Sequence, residues 1–403
     1  MKKRGIAHVG LFLALASASV AMACGSELDI DALGRGGDAG EGPGDGDGAA
    51  PGSSGGPGAV DGSGSSSGSS GTSGSSGTSG SSGTSGSSGD AGWNAPLTED
   101  AGAWTPAGWT KMASNSNRYL HAVWGSSSSA VWAGGDSGTM LFYDGQTWSA
   151  RASSLTNQGH VWALSGSAAD DVYALEVRGV INLGAKMYLH HWNGTSWKEV
   201  TPLPGVDEVG CLHVPARGVA YVYGAPQNTA TPTTEDALRL YRVDGDADAG
   251  RVYLGATDKA VSASGYCGLF AFAPTDVWLS GRPMQRWNGQ AFAQLPATPA
   301  LGSDLLSVVT PDLAFTGVMV WNGTSWQNQA TGVAGSLVRV TGRTKALAFG
   351  VVLGAAPHVV RYQNAGFTEE TLPQGTGLLQ DIWMAPNGRT FAVGDNGTIV
   401  SGP

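Results

Sequence analysis

A hairpin-turn signature recurs through the C-terminal three quarters of the chain, and it limits the fold more than any other feature. Asp144-Gly145 precedes Trp148, Asn193-Gly194 precedes Trp197, Asn288-Gly289 precedes Phe292, and Asn322-Gly323 precedes Trp326. Asn364-Ala365-Gly366 with Phe367 is a looser copy, and Asp244-Gly245 leads to Val252–Leu254 through an Asp-rich insertion. Asn-Gly and Asp-Gly suit two-residue type I′ turns, whose central residues both take positive φ. From Gly145 to Gly366 the spacing averages about 44 residues, the size of a four-stranded propeller blade.

A second marker lies upstream of each turn, a short apolar run ending in small residues. Its copies are Ala130–Ala133, Asp171–Ala174, Val219–Val222, Asp276–Leu279, Leu313–Phe315, Ala346–Phe349 and Thr390–Val393. The last unit is truncated. Phe391–Val400 follows the pattern of Trp132–Leu141, but the chain stops before a fourth strand. Trp104–Met112, at the other end of the repeats, supplies a strand to fill that place. An N-terminal strand completing the last blade closes a ring and removes its free edges. The expected fold is all-β, a seven-bladed β-propeller of four-stranded blades closed by an N-terminal strand.

Composition divides the chain into three expected segments: a signal at 1–24, a linker at 25–102 and the propeller at 103–403. All 14 Trp lie at Trp93 or later. Some 300 residues suffice to bury about 75% of their unfolded surface. Most of the net charge of −10 belongs to the linker, where many acids face Arg35 alone. The folded part has no basic stripe, which argues against a nucleic-acid partner.

Lys2, Lys3 and Arg4 form a positive leader, and Leu11–Val20 is an apolar run too short to span a bilayer as a mature helix. Ala21-Met22-Ala23-Cys24 follows. It resembles the lipobox of bacterial lipoproteins, which implies lipidation at Cys24, a membrane contact through the lipid, and an extracytoplasmic, envelope location; ordinary cleavage after Ala-Met-Ala, with Cys24 incidental, is the alternative. The linker contains the Gly/Ser/Thr tract Gly62–Gly89. Such a segment cannot bury enough apolar surface to offset its chain entropy. As a flexible coil it would reach about 50 Å. With Cys24 lipidated, Cys211 and Cys267 are the remaining thiols in an oxidising compartment. They are a candidate disulfide, and two small buried apolar residues are the alternative.

The combination of Asp-Val-Trp, a following Gly, a hydrophobic pair and Asn/Asp-Gly with Trp resembles bacterial seven-bladed propellers of the photosystem II assembly-factor type. It is also similar to the Asp-box repeats of sialidase-like proteins, although no repeat carries a full Asp-box. The resemblance implies the fold and carries over no catalytic residue.

Nothing in the folded part demands catalysis, a metal or a cofactor. The turn aromatics are expected to pack between blades. Asp171, Asp276 and Asp312 are expected to fix turns by Asx hydrogen bonding. Asp244–Gly250 lacks the spacing of a calcium loop, and His190 and His191 are adjacent on a strand, so they point to opposite sides. A sialidase-like site would need Arg282, Arg286, Arg339, Arg343 and Arg361 to converge. The longest insertion, Gly224–Ala237, is polar, and Gln227, Asn228, Thr233, Glu235 and Asp236 in it are the candidate binding loop. The expectation is a monomeric envelope lipoprotein presenting a protein- or glycan-binding propeller. The alternatives are a secreted glycan hydrolase or lyase and a passive envelope-assembly scaffold.

Overall fold

The structure, a computed structural model, describes residues 108–402 except 152, 156–158, 180–184, 203–208, 226–238, 246–250, 257–267, 282–283 and 296–304. Seven antiparallel sheets of four strands each make up the described part. Six of them run in sequence order as simple meanders. The seventh places β1 (Thr110–Met112) beside β28 (Ile399–Gly402), then β27 (Thr390–Gly394) and β26 (Leu379–Met384), so the first strand of the domain completes the last blade. Thr110, Lys111 and Met112 of β1 pair with Ser401, Val400 and Ile399 of β28. The ring therefore closes as the truncated last repeat requires. Among the described residues no helix is long and apolar enough to cross a membrane.

Every second strand predicted from the repeats is present. The pattern reads as continuous apolar and small residues because both faces of each such strand are covered by neighbouring blades. β7 (Asp171–Arg178) is buried from Asp171 through Val177, and β3 (Ala130–Gly135) from Val131 through Gly135. The outermost strands behave differently: β5 (Trp148–Ala150) buries Trp148 and exposes the next two residues. Layers of side chains fill the spaces between blades. One layer gathers Trp124, Val131, Trp148, Val161, Leu164, Trp383, Phe391 and Ile399, residues of the first, second and seventh blades.

The innermost strands are β2 (Leu120–Ser127), β6 (Gly159–Ala168), β10 (Val209–Ala216), β14 (Leu269–Ala273), β18 (Ser307–Thr310), β22 (Ser336–Thr344) and β26 (Leu379–Met384). Together they line a narrow central cavity of about 160 Å³. Side chains on these strands tie each blade to the next. Ser165 Oγ accepts the Val214 N–H (3.0 Å), and His213 Nδ1 accepts the Ala271 N–H (3.2 Å). Ser307 Oγ accepts the Val340 N–H (3.1 Å), and Thr341 Oγ1 accepts the Met384 N–H (3.1 Å). Asp381 Oδ2 accepts the Val123 N–H (2.8 Å), which joins the last blade to the first. Close approach of the blades also requires Gly166: a Cβ there would lie 2.6 Å from the Trp124 ring.

The turns differ from the expected type I′. Gly145, Gly194, Gly289 and Gly323 have positive φ, but the Asp or Asn before each does not. Tyr143 pairs with Trp148, so the loop has four residues, and Asp144 Oδ1 accepts the N–H groups of Gln146 and Thr147. Asn193, Asn288 and Asn322 repeat this arrangement. Among the described residues, the only two-residue turn with both φ values positive is the loose copy, Asn364 (53°) and Ala365 (58°), between paired Gln363 and Gly366.

The Asp residues before the second strands also act differently from expectation. Asp171 accepts from Ser167, from His191 and from the Gly218 N–H of the next blade. Asp276 binds Arg286, and Asp312 accepts from Thr310 and from Lys345 of the next blade. Of the turn aromatics, Trp148 and Trp197 are buried between blades, whereas Phe292, Trp326 and Phe367 are only partly buried.

Candidate functional site

The inner strands all begin on one face of the ring, and the turns joining second to third strands lie on that face. In the first blade this turn is a single 3-10 turn, Asp136–Gly138, with Ser137 in the left-handed region (φ 56°). The Asp136 N–H donates to the Tyr119 carbonyl (2.9 Å), which pins the turn against the start of β2. Its carboxylate meets two imidazoles. His121 Nε2 on β2 lies 2.6 Å from Asp136 Oδ1, and His160 Nδ1 on β6, in the next blade, lies 2.7 Å from the same oxygen. Burial works to raise the Asp136 carboxyl, but the hydrogen bonds from both histidines outweigh it and hold the group well below the usual carboxylate range.

Aromatic rings frame this cluster. Tyr119 stacks on His121 at 4.7 Å, and Trp162 stacks on His121 at 5.3 Å. All of these residues are half-buried. The cluster escaped sequence reasoning because its members come from two blades. The available signal was the polar His121 and His160 near the start of two inner strands.

The repeat contains a second copy of the same turn, Asp395–Gly397, with Asn396 at φ 49°. By strand register Leu120, Val161 and Leu379 are equivalent, since each precedes the same bulge. The seventh-to-first junction therefore places Gln380 and Tyr119 where the first-to-second junction has His121 and His160. There Tyr119 donates to Gln380 Oε1 (3.1 Å). Asp395 Oδ1 is buried and accepts no hydrogen bond, and burial raises its carboxyl.

Further polar groups lie inside the structure. In the second blade, β8 (Lys186–Trp192) carries both His190 and His191. His190 links Ser154 (2.7 Å) to Glu176 (2.8 Å), and Glu176 also holds Arg178. Imidazole and carboxylate are both fully buried, so a substrate has no access to them. His191 turns the other way, to Asp171. In the central cavity, enclosure pushes Asp381 up to about 6 despite the nearby Arg339 guanidinium.

Of the candidate arginines, the four described do not converge. Arg286 binds Asp276, Arg339 faces Asp381, Arg361 pairs with Glu370, and Arg343 donates to the Met384 carbonyl. Arg282 lies outside the described residues. So do Gln227, Asn228, Thr233, Glu235 and Asp236. Of the strands flanking them, β11 (Val219–Ala225) ends and β12 (Arg239–Asp244) begins on the face of the His121 cluster, since Ala225 pairs with Val209 at the start of β10. Cys211 is buried and disulfide-bonded; Cys24 and Cys267 lie outside the described residues.

No protein-family model matches the chain, and no curated protein matches it. Solved structures do match in fold. A structure titled YCF48 bound to D1 peptide has a TM-score of 0.55 at 13% identity, covering 74% of this chain and 97% of its own. YCF48 from Cyanidioschyzon merolae gives 0.53 at 13% identity, over 73% and 98%. A streptogramin B lyase structure gives 0.55 at 12% identity, over 73% and 97%. The chain is thus a seven-bladed β-propeller that shares its fold, at low identity, with proteins as unlike as YCF48 and a streptogramin B lyase.

Proposed function

We propose that this chain is an extracytoplasmic lipoprotein, anchored through Cys24, whose propeller holds a protein partner on the face where the inner strands begin. The observation that carries this reading is the half-exposed stack of Tyr119, His121 and Trp162 at that face. Rigid aromatic rings supply large contact area at low entropic cost and are frequent anchors of protein interfaces. The central cavity, at about 160 Å³, is smaller than the roughly 300–1,000 Å³ of small-molecule sites. Contact is therefore expected at the face rather than within the ring. The strand ends flanking 226–238 open onto the same face, so the candidate loop residues would extend the contact. One structural neighbour is a propeller with a bound peptide, which is compatible with this use of the fold.

Replacing Tyr119 and Trp162 together by Ala in the mature protein is the test. Recovery of a crosslinked partner from envelope fractions should fall about 30-fold or more, as loss of an interface anchor of roughly 2 kcal/mol entails. Unchanged recovery rejects the face, and turnover of a glycan by the wild-type protein replaces the binding reading with an enzymatic one. Membrane retention of Cys24→Ser after a salt wash rejects the anchor. A Cys211–Cys267 bond belongs to the same proposal, and two alkylatable thiols in the unreduced protein reject it.

A further inference from the structure

We infer that His121, Asp136 and His160 form a binding site for one divalent transition-metal ion of the Zn2+ type, bridging the first and second blades. The inference goes beyond partner binding and does not depend on it. One ring nitrogen of His121, one of His160 and a carboxylate oxygen of Asp136 all lie within 4.8 Å of one another. Both imidazoles aim at a single carboxylate oxygen, which brings the three donor atoms together at one place. Around a tetrahedral ion with bonds near 2.0–2.1 Å, donor atoms stand about 3.3 Å apart. The two nitrogen–oxygen distances, 2.6 and 2.7 Å, need to open by under 1 Å to reach that spacing, within reach of small side-chain rotations.

The donor set selects the ion. Two imidazoles and one carboxylate suit Zn2+, Co2+, Ni2+ or Cu2+, whereas Ca2+ and Mg2+ favour all-oxygen sites. Three protein ligands leave a position for water or an added ligand, and the half-buried site opens to solvent. The ligands are held before any ion arrives. The turn hydrogen bond to Tyr119 fixes Asp136, and rings on both sides fix His121.

The repeat supplies an internal comparison. The same turn at Asp395 folds with Gln380 and Tyr119 in the equivalent places. Histidine is therefore no requirement of the turn, and the pair at 121 and 160 is a local addition. That comparison also provides a variant designed to fold: His121→Gln with His160→Tyr copies the pair found at the other junction.

The experiment uses the tag-free mature protein, stripped with a chelator and titrated with Zn2+ and with Co2+. The wild type should take up one equivalent of each, show visible d–d bands with Co2+, and gain thermal stability with Zn2+ but not with Mg2+ or Ca2+. The H121Q/H160Y variant, checked for native circular dichroism, and His121→Ala alone should bind at least 10-fold more weakly. His358→Ala, which alters a separate His–Glu pair, should bind like the wild type. Absence of uptake by the wild type at micromolar ion overturns the inference, as does uptake undiminished in both 121 variants. Either result would leave His121 and His160 as hydrogen-bond donors to Asp136 only.

Discussion

His213 and Asp381 occupy similar places on inner strands, and each accepts a backbone N–H from the next blade. Their protonation works in opposite directions. Burial lowers His213 to about 3 from an ordinary 6.5, so the neutral ring, with Nδ1 free to accept, is the form the fold selects. Between these values the unfolded chain binds the proton and the folded chain does not. The contribution of His213 is therefore intact above pH 6.5 and lost as pH falls towards 3. Asp381 has the reverse sign, because its folded value of about 6 lies above the ordinary 3.8. The folded state then holds the extra proton, and stability is lost as pH rises through that interval. Two outcomes follow. His213→Gln should flatten the fall in melting temperature between pH 6.5 and 4. Asp381→Asn, which keeps an acceptor for Val123, should raise the melting temperature at pH 7.5, by about 2 kcal/mol of stability or less, and change little at pH 4. Matched melting curves across pH check both, and parallel pH profiles for wild type and variants would contradict them.

At the scale of the element, the hairpins show what a dipeptide does and does not specify. In Asn322-Gly323 the Asn caps a four-residue loop through its side chain, and only Gly323 needs positive φ. A Cβ on Gly323 would also lie 2.9 Å from the Asp312 side chain. Gly323→Ala should therefore cost about 1–2 kcal/mol. Ala365 is the converse case, an Ala held at φ 58° in the true type I′ turn. Ala365→Gly relieves a left-handed penalty of roughly 1 kcal/mol and should raise the melting temperature by about 2 °C. Thermal denaturation decides both, and a destabilised Ala365→Gly would refute the turn assignment. The seven second strands were legible because burial on both faces leaves a run such as Asp171–Ala174 in the residues themselves. The turn type was not, since Asn-Gly serves both loop lengths and cross-strand register decides between them. The His121–Asp136–His160 cluster was beyond reach for a related reason: His160 reaches Asp136 across from the next blade, and strand periodicity carries no information about which faces meet.

For the whole molecule, the ring depends on a junction between chain regions far apart in sequence. Three ties hold its last blade in the ring: β1 on β28, Asp381 on Val123 of the first blade, and Trp109 packed edge-on against Phe349 of the sixth. Trp109 is almost wholly buried, at 5% exposure, and loss of such a side chain alone costs about 3–5 kcal/mol. The cluster at His121 and Asp136 sits in the first blade, beside this junction, so opening the ring should also loosen the candidate site. Thermal unfolding of three forms of the mature protein tests closure directly: the parent, a form lacking 26–89 of the Gly/Ser-rich linker, and a form lacking 104–112. The second should melt with the parent. The third should melt about 6–10 °C lower, given that burial loss and about 2 °C per kcal/mol for a domain of this size. Equal melting temperatures for the parent and the form lacking 104–112 would contradict a ring closed by its N-terminal strand.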